Sequence, residues 1–589
     1  MGSDGNDVEV ATGSNEDEIV ITAGMSRFKK FMSFFGPGLL IATVYVDPGQ
    51  IVVDMESGSV FQYRMLWALL FANGMGLMFQ HLCSRLSIVT GRNMAVENRL
   101  EYPRNLRLFL WFTVELASIA ADLGYVMGTA TALTILTGMS LHWGVLLTGL
   151  DTFVALGVQA FGIRKVEALV GSLFGMVVVC YIMEVFYVKP SVLGVMDGML
   201  PRLWHKNERY GYGDWLKLLC ANLGAAVCPP NFFLQSALVR TRRTERSERG
   251  VMEAFEYNLY ETSICLILAT IVNAVMLILA AAHFYPDRVV SLAQGADMLN
   301  DVLGNSARFA FAIAMLCAGQ SSSLTGVLST QYILEGFFQI NIPGYIVRLV
   351  TRAIAIIPAF IIVYAEGPDV AADLIEQAQV VVNFVVPFTV IPLTKFLCSE
   401  VKMGPYRLSP NLRLACWFCS AVAIFLNMLA LWDFVNGLED LPVVLRVALG
   451  SLVIGAYIYL SYYLAVRPVR IATAGLWDAA KDVSGTPGVG FFVSTGPPLS
   501  QMQVSVIVGV ISVVVMFFGY LALGEAGSVK CLLDHVGVVV GEGCSIPQLQ
   551  GRLSLSSPAP MAVTGIQESA SMLSPPAVLE AAEALMGGQ

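Results

Sequence analysis

Long apolar stretches dominate the chain, separated by short polar interruptions. They fall at about 33–60, 65–90, 106–137, 141–162, 165–188, 214–240, 257–284, 305–335, 344–364, 369–395, 411–437 and 441–466. Runs of this length suit helices crossing the roughly 30 Å hydrocarbon core of a bilayer. The pattern predicts an all-α polytopic membrane protein of twelve spans within residues 31–466. A further uncharged run, 504–524, is a candidate thirteenth span. Residues 467–503 are rich in Gly, Pro and Ser and read as a linker; residues 525–589 read as a disordered Ala-, Ser- and Pro-rich tail. If 504–524 spans, Cys531 and Cys544 lie outside and can pair; if it rests on the surface, they stay reduced.

Composition agrees with the membrane reading. Only 13% of residues are charged and 56% are hydrophobic, against about 25% charged in a soluble domain. The net charge of -9 does not point to nucleic acid, and much of the acid sits in the first residues, at Asp4, Asp7, Glu9, Glu16, Asp17 and Glu18. Residues 1–30 therefore read as a disordered acidic tail. No apolar signal-peptide core lies there, so the first span is expected to direct insertion. Basic residues cluster before span one (Arg27, Lys29, Lys30), after span two (Arg92 to Arg107), after four (Arg164, Lys165), after six (Arg240 to Arg249) and after ten (Lys395 to Arg413). These five clusters share one side if the N-terminus is cytoplasmic, although Lys189, Arg202, Lys206 and Arg209 depart from the pattern. Most of the eleven cysteines lie in apolar runs, as small hydrophobes do. Cys416 and Cys419 have CxxC spacing but no second pair, which does not favour zinc.

Two spans carry breakers at mid-depth. The first contains Val46-Asp47-Pro48-Gly49-Gln50; the sixth contains Ala225-Ala226-Val227-Cys228-Pro229-Pro230-Asn231. Proline removes a donor and clashes with the preceding turn, so both helices should unwind. Unwound backbone at membrane depth is tolerated only against protein or a water-filled cavity. Prolines also kink membrane helices without functional consequence. Here, however, the breaks occupy matching places in two five-span halves, 33–188 and 214–395, and one carries an aspartate. That combination points to an inverted-repeat transporter with its site between the breaks. Asp47 offers a hard oxygen, Gln50 an amide oxygen, the chain near Ala225 freed carbonyls and Cys228 sulfur. Oxygen with one soft atom suits a first-row transition ion better than Mg2+ or Ca2+. The alternative for Cys228 is an inert packed thiol.

At these residues the sequence resembles the NRAMP family of divalent-metal transporters, over roughly residues 30 to 440. Asp47-Pro48-Gly49-Gln50 stands where the family has Asp-Pro-Gly-Asn, and Cys228-Pro229-Pro230-Asn231 where it has Met-Pro-His-Asn. Ser236-Ala237-Leu238-Val239, Val89-Thr90-Gly91, Leu100-Glu101-Tyr102-Pro103, Gly319-Gln320-Ser321-Ser322, Thr325-Gly326, Thr351-Arg352 and Ile357-Pro358-Ala359 also resemble it. The resemblance implies a LeuT-like 5+5 inverted repeat with broken helices 1 and 6 and one or two further helices. It implies a metal site of Asp47, Gln50, the Ala225 carbonyl, Cys228 and Gln379, with protons as the coupling ion.

The departures matter. Gln50 keeps the amide on a longer arm, and Cys228 replaces a thioether with an ionisable thiol. Pro230 and Gln235 stand where the family has histidines, and none of the five histidines falls mid-span, so a histidine relay is not expected. Glu115 and Asp122 in span three are seven residues apart and share a helical face. The resemblance places Asp122 on a proton route, with Tyr125 replacing a family glutamate. Arg352 is the candidate cationic partner, in a route or in a merely structural pair.

The reading is alternating-access transport of divalent metal, Mn2+ or Fe2+ favoured, with metal expelling a proton from Asp47 to Asp122. A Mg2+ transporter and a non-transporting metal sensor are the alternatives. The sensor is disfavoured because only about 120 residues follow span twelve, whereas a folded domain usually needs ~100 or more and a further apolar run lies among them. Amino-acid cargo is disfavoured because Asp47 would repel its carboxylate. The sequence shows no nucleophile–base pair, phosphate loop or cofactor fingerprint, so neither an enzyme nor a bound cofactor is expected. The partners expected are the metal ion and the lipid bilayer; oligomeric state is left open.

Overall fold

The computed structural model describes residues 19–20, 26–150, 163–188, 190–201, 209–243, 248–288, 296, 305–338, 344–367, 371–436 and 442–469. The later part of the fourth predicted span, most of the 467–503 linker, the 504–524 run, Cys531, Cys544 and the tail lie outside them. The protein is built of helices: α1 (Arg27–Phe34), α2 (Pro37–Val44), α3 (Pro48–Phe61), α4 (Leu66–Thr90), α5 (Met94–Glu101), α6 (Arg104–Thr137), α7 (Leu141–Leu147), α8 (Ile163–Val188) and α9 (Val192–Gly198). There follow α10 (Tyr212–Ala226), α11 (Pro229–Leu238), α12 (Glu248–His283), α13 (Asn305–Phe338), α14 (Gly344–Glu366), α15 (Ala371–Cys398), α16 (Glu400–Met403), α17 (Pro410–Asn436) and α18 (Val443–Val466).

Seven helical stretches among the described residues are long and apolar enough to cross a membrane on their own. Two of the predicted spans are not continuous helices. The first and sixth spans are each split in two, into pieces of 8 and 14 residues and of 15 and 10 residues. Half-helices of that length cannot cross alone at 1.5 Å rise per residue.

Of residues 1–30, the described ones are 19–20 and 26–30. Within the stretch read as a disordered tail, Ile19–Val20 pairs in parallel with Arg242–Arg243, and α1 begins at Arg27. Ser26 caps α1, and Lys30 reaches Glu253 on α12 at 2.5 Å. Long-range pairing of this kind leaves no local signal in a polar segment.

The two halves run in opposite directions. The first enters with α2 beside Arg242, which follows the sixth span and whose Nη2 donates to the Phe35 carbonyl at 3.4 Å. It leaves the broken segment at the end of α3, near Glu56. The second enters with α10 on that opposite face, where Arg288 lies 3.9 Å from Asp214 and also pairs with Glu56. The broken helices are therefore antiparallel, as inverted repeats require.

Small residues let the helices close in. Pro48, at the first break, lies so near α6 that a Cβ on Gly128 would collide with its ring, and one on Gly124 would sit 3.1 Å from the Gly49 Cα. Without a hydrophobic drive between helices in lipid, such close approach is a main source of attraction. A buried ion pair outside the site ties α16 to α5. Lys402 donates to Glu97 at 2.5 Å, with both side chains fully buried, and lies 3.4 Å from Glu101. Lys402→Met leaves Glu97 with only the more distant Arg92, at 3.8 Å, and breaking a buried pair from one side costs about 3–5 kcal/mol. The expected outcome is a clearly lower melting temperature for the purified protein, largely recovered in Lys402→Met/Glu97→Leu. An unchanged melting temperature in the single variant contradicts the assigned pairing.

Candidate metal-binding site

The site forms where both broken helices stop. In the first, α2 ends at Val44 and Tyr45-Val46 bridge to Asp47, which is extended at φ -74°, ψ 161°. Asp47 is the N-cap of α3, and Pro48 takes the first helical position, where its missing N–H is no loss. The predicted proline break is thus also a helix start. Asp47 Oδ1 accepts the Gln50 N–H at 2.7 Å, as an N-cap carboxylate should. Carbonyls freed at the end of α2 find partners: Asn273 Nδ2 donates to Tyr45 O at 2.7 Å and Ser322 Oγ to Thr43 O at 3.3 Å.

In the sixth span, α10 ends at Ala226, Val227 turns the chain at φ -105°, ψ 46°, and Cys228 is the N-cap residue of α11. Ala225 lies in the last turn of α10, where carbonyls have no partner further along the helix. The C-terminal ends of α2 and α10 both carry the negative pole of the helix dipole. Two such ends and one carboxylate make this junction a place for a cation.

Asp47 and Gln379 converge on Gly49. A Cβ on Gly49 would run into Gln379 Nε2 and stand 3.0 Å from Asp47 Oδ1. Gly224 likewise allows α10 to lie against the Gln379 main chain of α15; a Cβ there would overlap that carbonyl. Cys228 lies within electrostatic reach of Asp47 and Asp122. It is also a member of a buried apolar cluster with Val44, Ala117, Ala121, Tyr125, Val382 and Val385. Asp47, Gln50, Ala225, Cys228 and Gln379 are each 4% exposed or less, so the site is closed in this state. At Gly49 the structure brings Asp47 Oδ1 and Gln379 Nε2 close together, while Cys228 belongs to an apolar cluster.

Asp122 and Arg352 face each other within the protein, 3.9 Å apart, with both side chains buried. Glu115 is also buried, two turns away on α6. Three features escaped sequence reasoning. Asp54, one turn beyond Gln50 on α3, accepts from Gln50 Nε2 at 2.7 Å. The i, i+4 spacing was visible, but nothing in the sequence told Asp54 from an ordinary buried carboxylate.

The other two features close the faces of the protein. On the face where α3 ends, Arg288 binds Glu56 of α3, reaches Asp373 and Glu376 of α15 at 3.3 and 3.0 Å, and approaches Asp214 of α10. The oxygens of Glu56, Asp373 and Glu376 lie within 4.8 Å of one another, and the single Arg288 guanidinium pairs with all three, offsetting part of their charge. On the opposite face Glu261 Oε1 accepts from the Gly36 and Gly38 N–H groups at 2.9 and 2.7 Å, capping α2 from outside. Gly36 has φ +148°, and a Cβ there would strike the paired Arg242 and Glu167 side chains. Loop positions such as Arg288 have no local motif that would announce these contacts.

Comparison with known proteins agrees with this arrangement. The family model described as natural resistance-associated macrophage protein-like (Nramp) matches residues 38–433. The chain is 36% identical over 465 residues to Metal transporter Nramp6.1 of Populus trichocarpa, covering 76% of this chain and 83% of that protein. It is 37% identical over 420 residues to the divalent metal cation transporter MntH of Bradyrhizobium diazoefficiens, covering 71% and 92%. A crystal structure of a variant of the Eremococcus coleocola manganese transporter superposes with a TM-score of 0.69 at 27% identity, covering 76% of this chain and 97% of that one. With the two antiparallel broken helices and the buried Asp47 between them, these matches establish that the chain belongs to the Nramp family.

Proposed function

We propose that this Nramp-family chain carries a divalent first-row transition ion, Mn2+ or Fe2+, by alternating access through the junction of its two broken helices. The function is transport of divalent metal ions rather than catalysis, as the named relatives and solved neighbours support. The observation that carries the reading is Asp47: a carboxylate 4% exposed, set between two helix breaks and accepting one main-chain N–H. An acid so placed is costly in a membrane unless a cation uses it. In the proposed ligand set, Asp47 supplies charge, Gln50 and Gln379 supply amide oxygens, Ala225 supplies a carbonyl and Cys228 supplies sulfur. The N-terminus is cytoplasmic in this reading, which puts Arg288 and its carboxylates on the outer face and Glu261 on the inner one. Opening either face requires breaking the polar contacts there, and metal entering from outside meets the Arg288 group first. The ligands must be deprotonated to hold metal, and the Asp122–Arg352 pair, 3.9 Å apart on α6 and α14, supplies the acceptor for the released proton.

Mg2+ is the second reading, favoured by one observation. If Cys228 belongs only to its apolar cluster, the remaining donors are all oxygen, the set that Mg2+ prefers.

Radioactive Mn2+ uptake into vesicles is expected to fall to background in Asp47→Ala; uptake at the unaltered rate removes Asp47 from the mechanism. In competition assays, excess Mg2+ should leave Mn2+ uptake unaffected, and Cys228→Met should shift the ranking among Mn2+, Fe2+ and Cd2+. Strong Mg2+ inhibition with an unchanged ranking favours the all-oxygen reading. Arg288→Ala leaves three carboxylates facing one another, so the outer face should open more often. In a background where Cys228 is the sole cysteine, an impermeant thiol reagent added outside should label it about fivefold faster or more, the size of a modest conformational coupling. An unchanged labelling rate rejects the gate.

A further inference from the structure

Gln50 is held from behind. Its Nε2 donates to Asp54 Oδ1 at 2.7 Å, and both side chains are buried. Gln and Asp four residues apart on a helix are neighbours and pair well. The Gln50 main-chain N–H goes to Asp47 Oδ1, also at 2.7 Å. Among the described residues, Gln50 Oε1 has no hydrogen-bond partner, although it is buried. Asp54 Oδ1 is the acceptor in this contact, whereas an amide has one accepting end and one donating end. Asp54 therefore decides which end of Gln50 faces backwards along α3.

We infer that Asp54 is a positioning residue for the transported divalent cation: it captures the amide nitrogen of Gln50 and keeps the carbonyl oxygen turned to the ion. The inference rests on the reading of Gln50 as a ligand. Gln50 stands where the resembled motif has asparagine, and its arm has one more rotatable bond. An untethered arm loses more freedom on binding an ion. It can also turn its NH2 group, the positive end of the amide, towards the cation. Pairing with Asp54 removes both penalties before metal arrives. Groups that orient a metal ligand from behind typically matter 10–100-fold, so about tenfold is the scale expected here.

The test is Mn2+ binding to the full-length purified protein, measured by isothermal titration calorimetry. Gln50→Ala and Asp54→Asn should each raise Kd about tenfold, because an asparagine can donate as well as accept and no longer fixes the amide. Asp54→Glu, which keeps a carboxyl group, should recover most of the affinity. The double variant Gln50→Ala/Asp54→Asn should bind no more weakly than Gln50→Ala alone. Should Asp54→Asn not purify as a single species, Asp54→Ser replaces it, since a hydroxyl also donates and accepts.

A Kd unchanged by Asp54→Asn but raised by Gln50→Ala overturns the inference and leaves the site reading intact. Fold-changes that multiply in the double variant also overturn it, showing Asp54 to be an independent charge. A Kd unchanged by Gln50→Ala removes Gln50 from the ligand set, and the inference goes with it.

Discussion

The structure depends on a carboxylate capping a helix that starts in the middle of a span. Asp47 takes the Gln50 N–H, Pro48 makes that start inexpensive, and α3 then continues as an ordinary buried helix. Without the cap, the interrupted chain would leave main-chain donors unsatisfied at a depth where water cannot serve them. The cap uses part of the acceptor capacity of the carboxylate, which has about four lone-pair sites. The same atoms that stabilise the break therefore also prepare a place for a cation, and fold and function share one interaction.

Around that point the molecule is closed on two faces by polar contacts. Glu261 caps α2 through two hydrogen bonds, and Arg242 pairs with Glu167 beside it. Arg288 ties α3 to α15 and approaches α10. These contacts join the mobile candidates, the half-helices, to their surroundings at opposite faces. A transporter needs closures of this kind, strong enough to exclude leakage and polar enough for water to replace them when they part.

How much of this was legible follows from the distance over which each feature is encoded. The breaks at Pro48 and Pro229 were readable because proline acts on its own turn. The second span at 65–90, against Leu66–Thr90 in the structure, was readable because burial in lipid demands an uninterrupted apolar run. Asp47, Gln50, Cys228 and Gln379 could be nominated from their motifs, but only the fold sets Gln379 against Gly49. The apolar packing of Cys228 was not legible, since its neighbours come from three other helices. Arg288 and Glu56 are 232 residues apart, and neither sits in a recognisable pattern. The pairing of Ile19–Val20 was not legible for the same reason: a strand of two residues is defined by its partner, not by its own sequence.

The central claim is that a metal ion rests between the two breaks, on Asp47. The most direct measurement is anomalous diffraction from crystals of the protein grown with Mn2+. A peak within about 2–2.5 Å of Asp47 and Gln50 oxygens, a range of ordinary metal–oxygen distances, is the predicted result. A lone peak among Glu56, Asp373 and Glu376, with none at Asp47, would contradict the account.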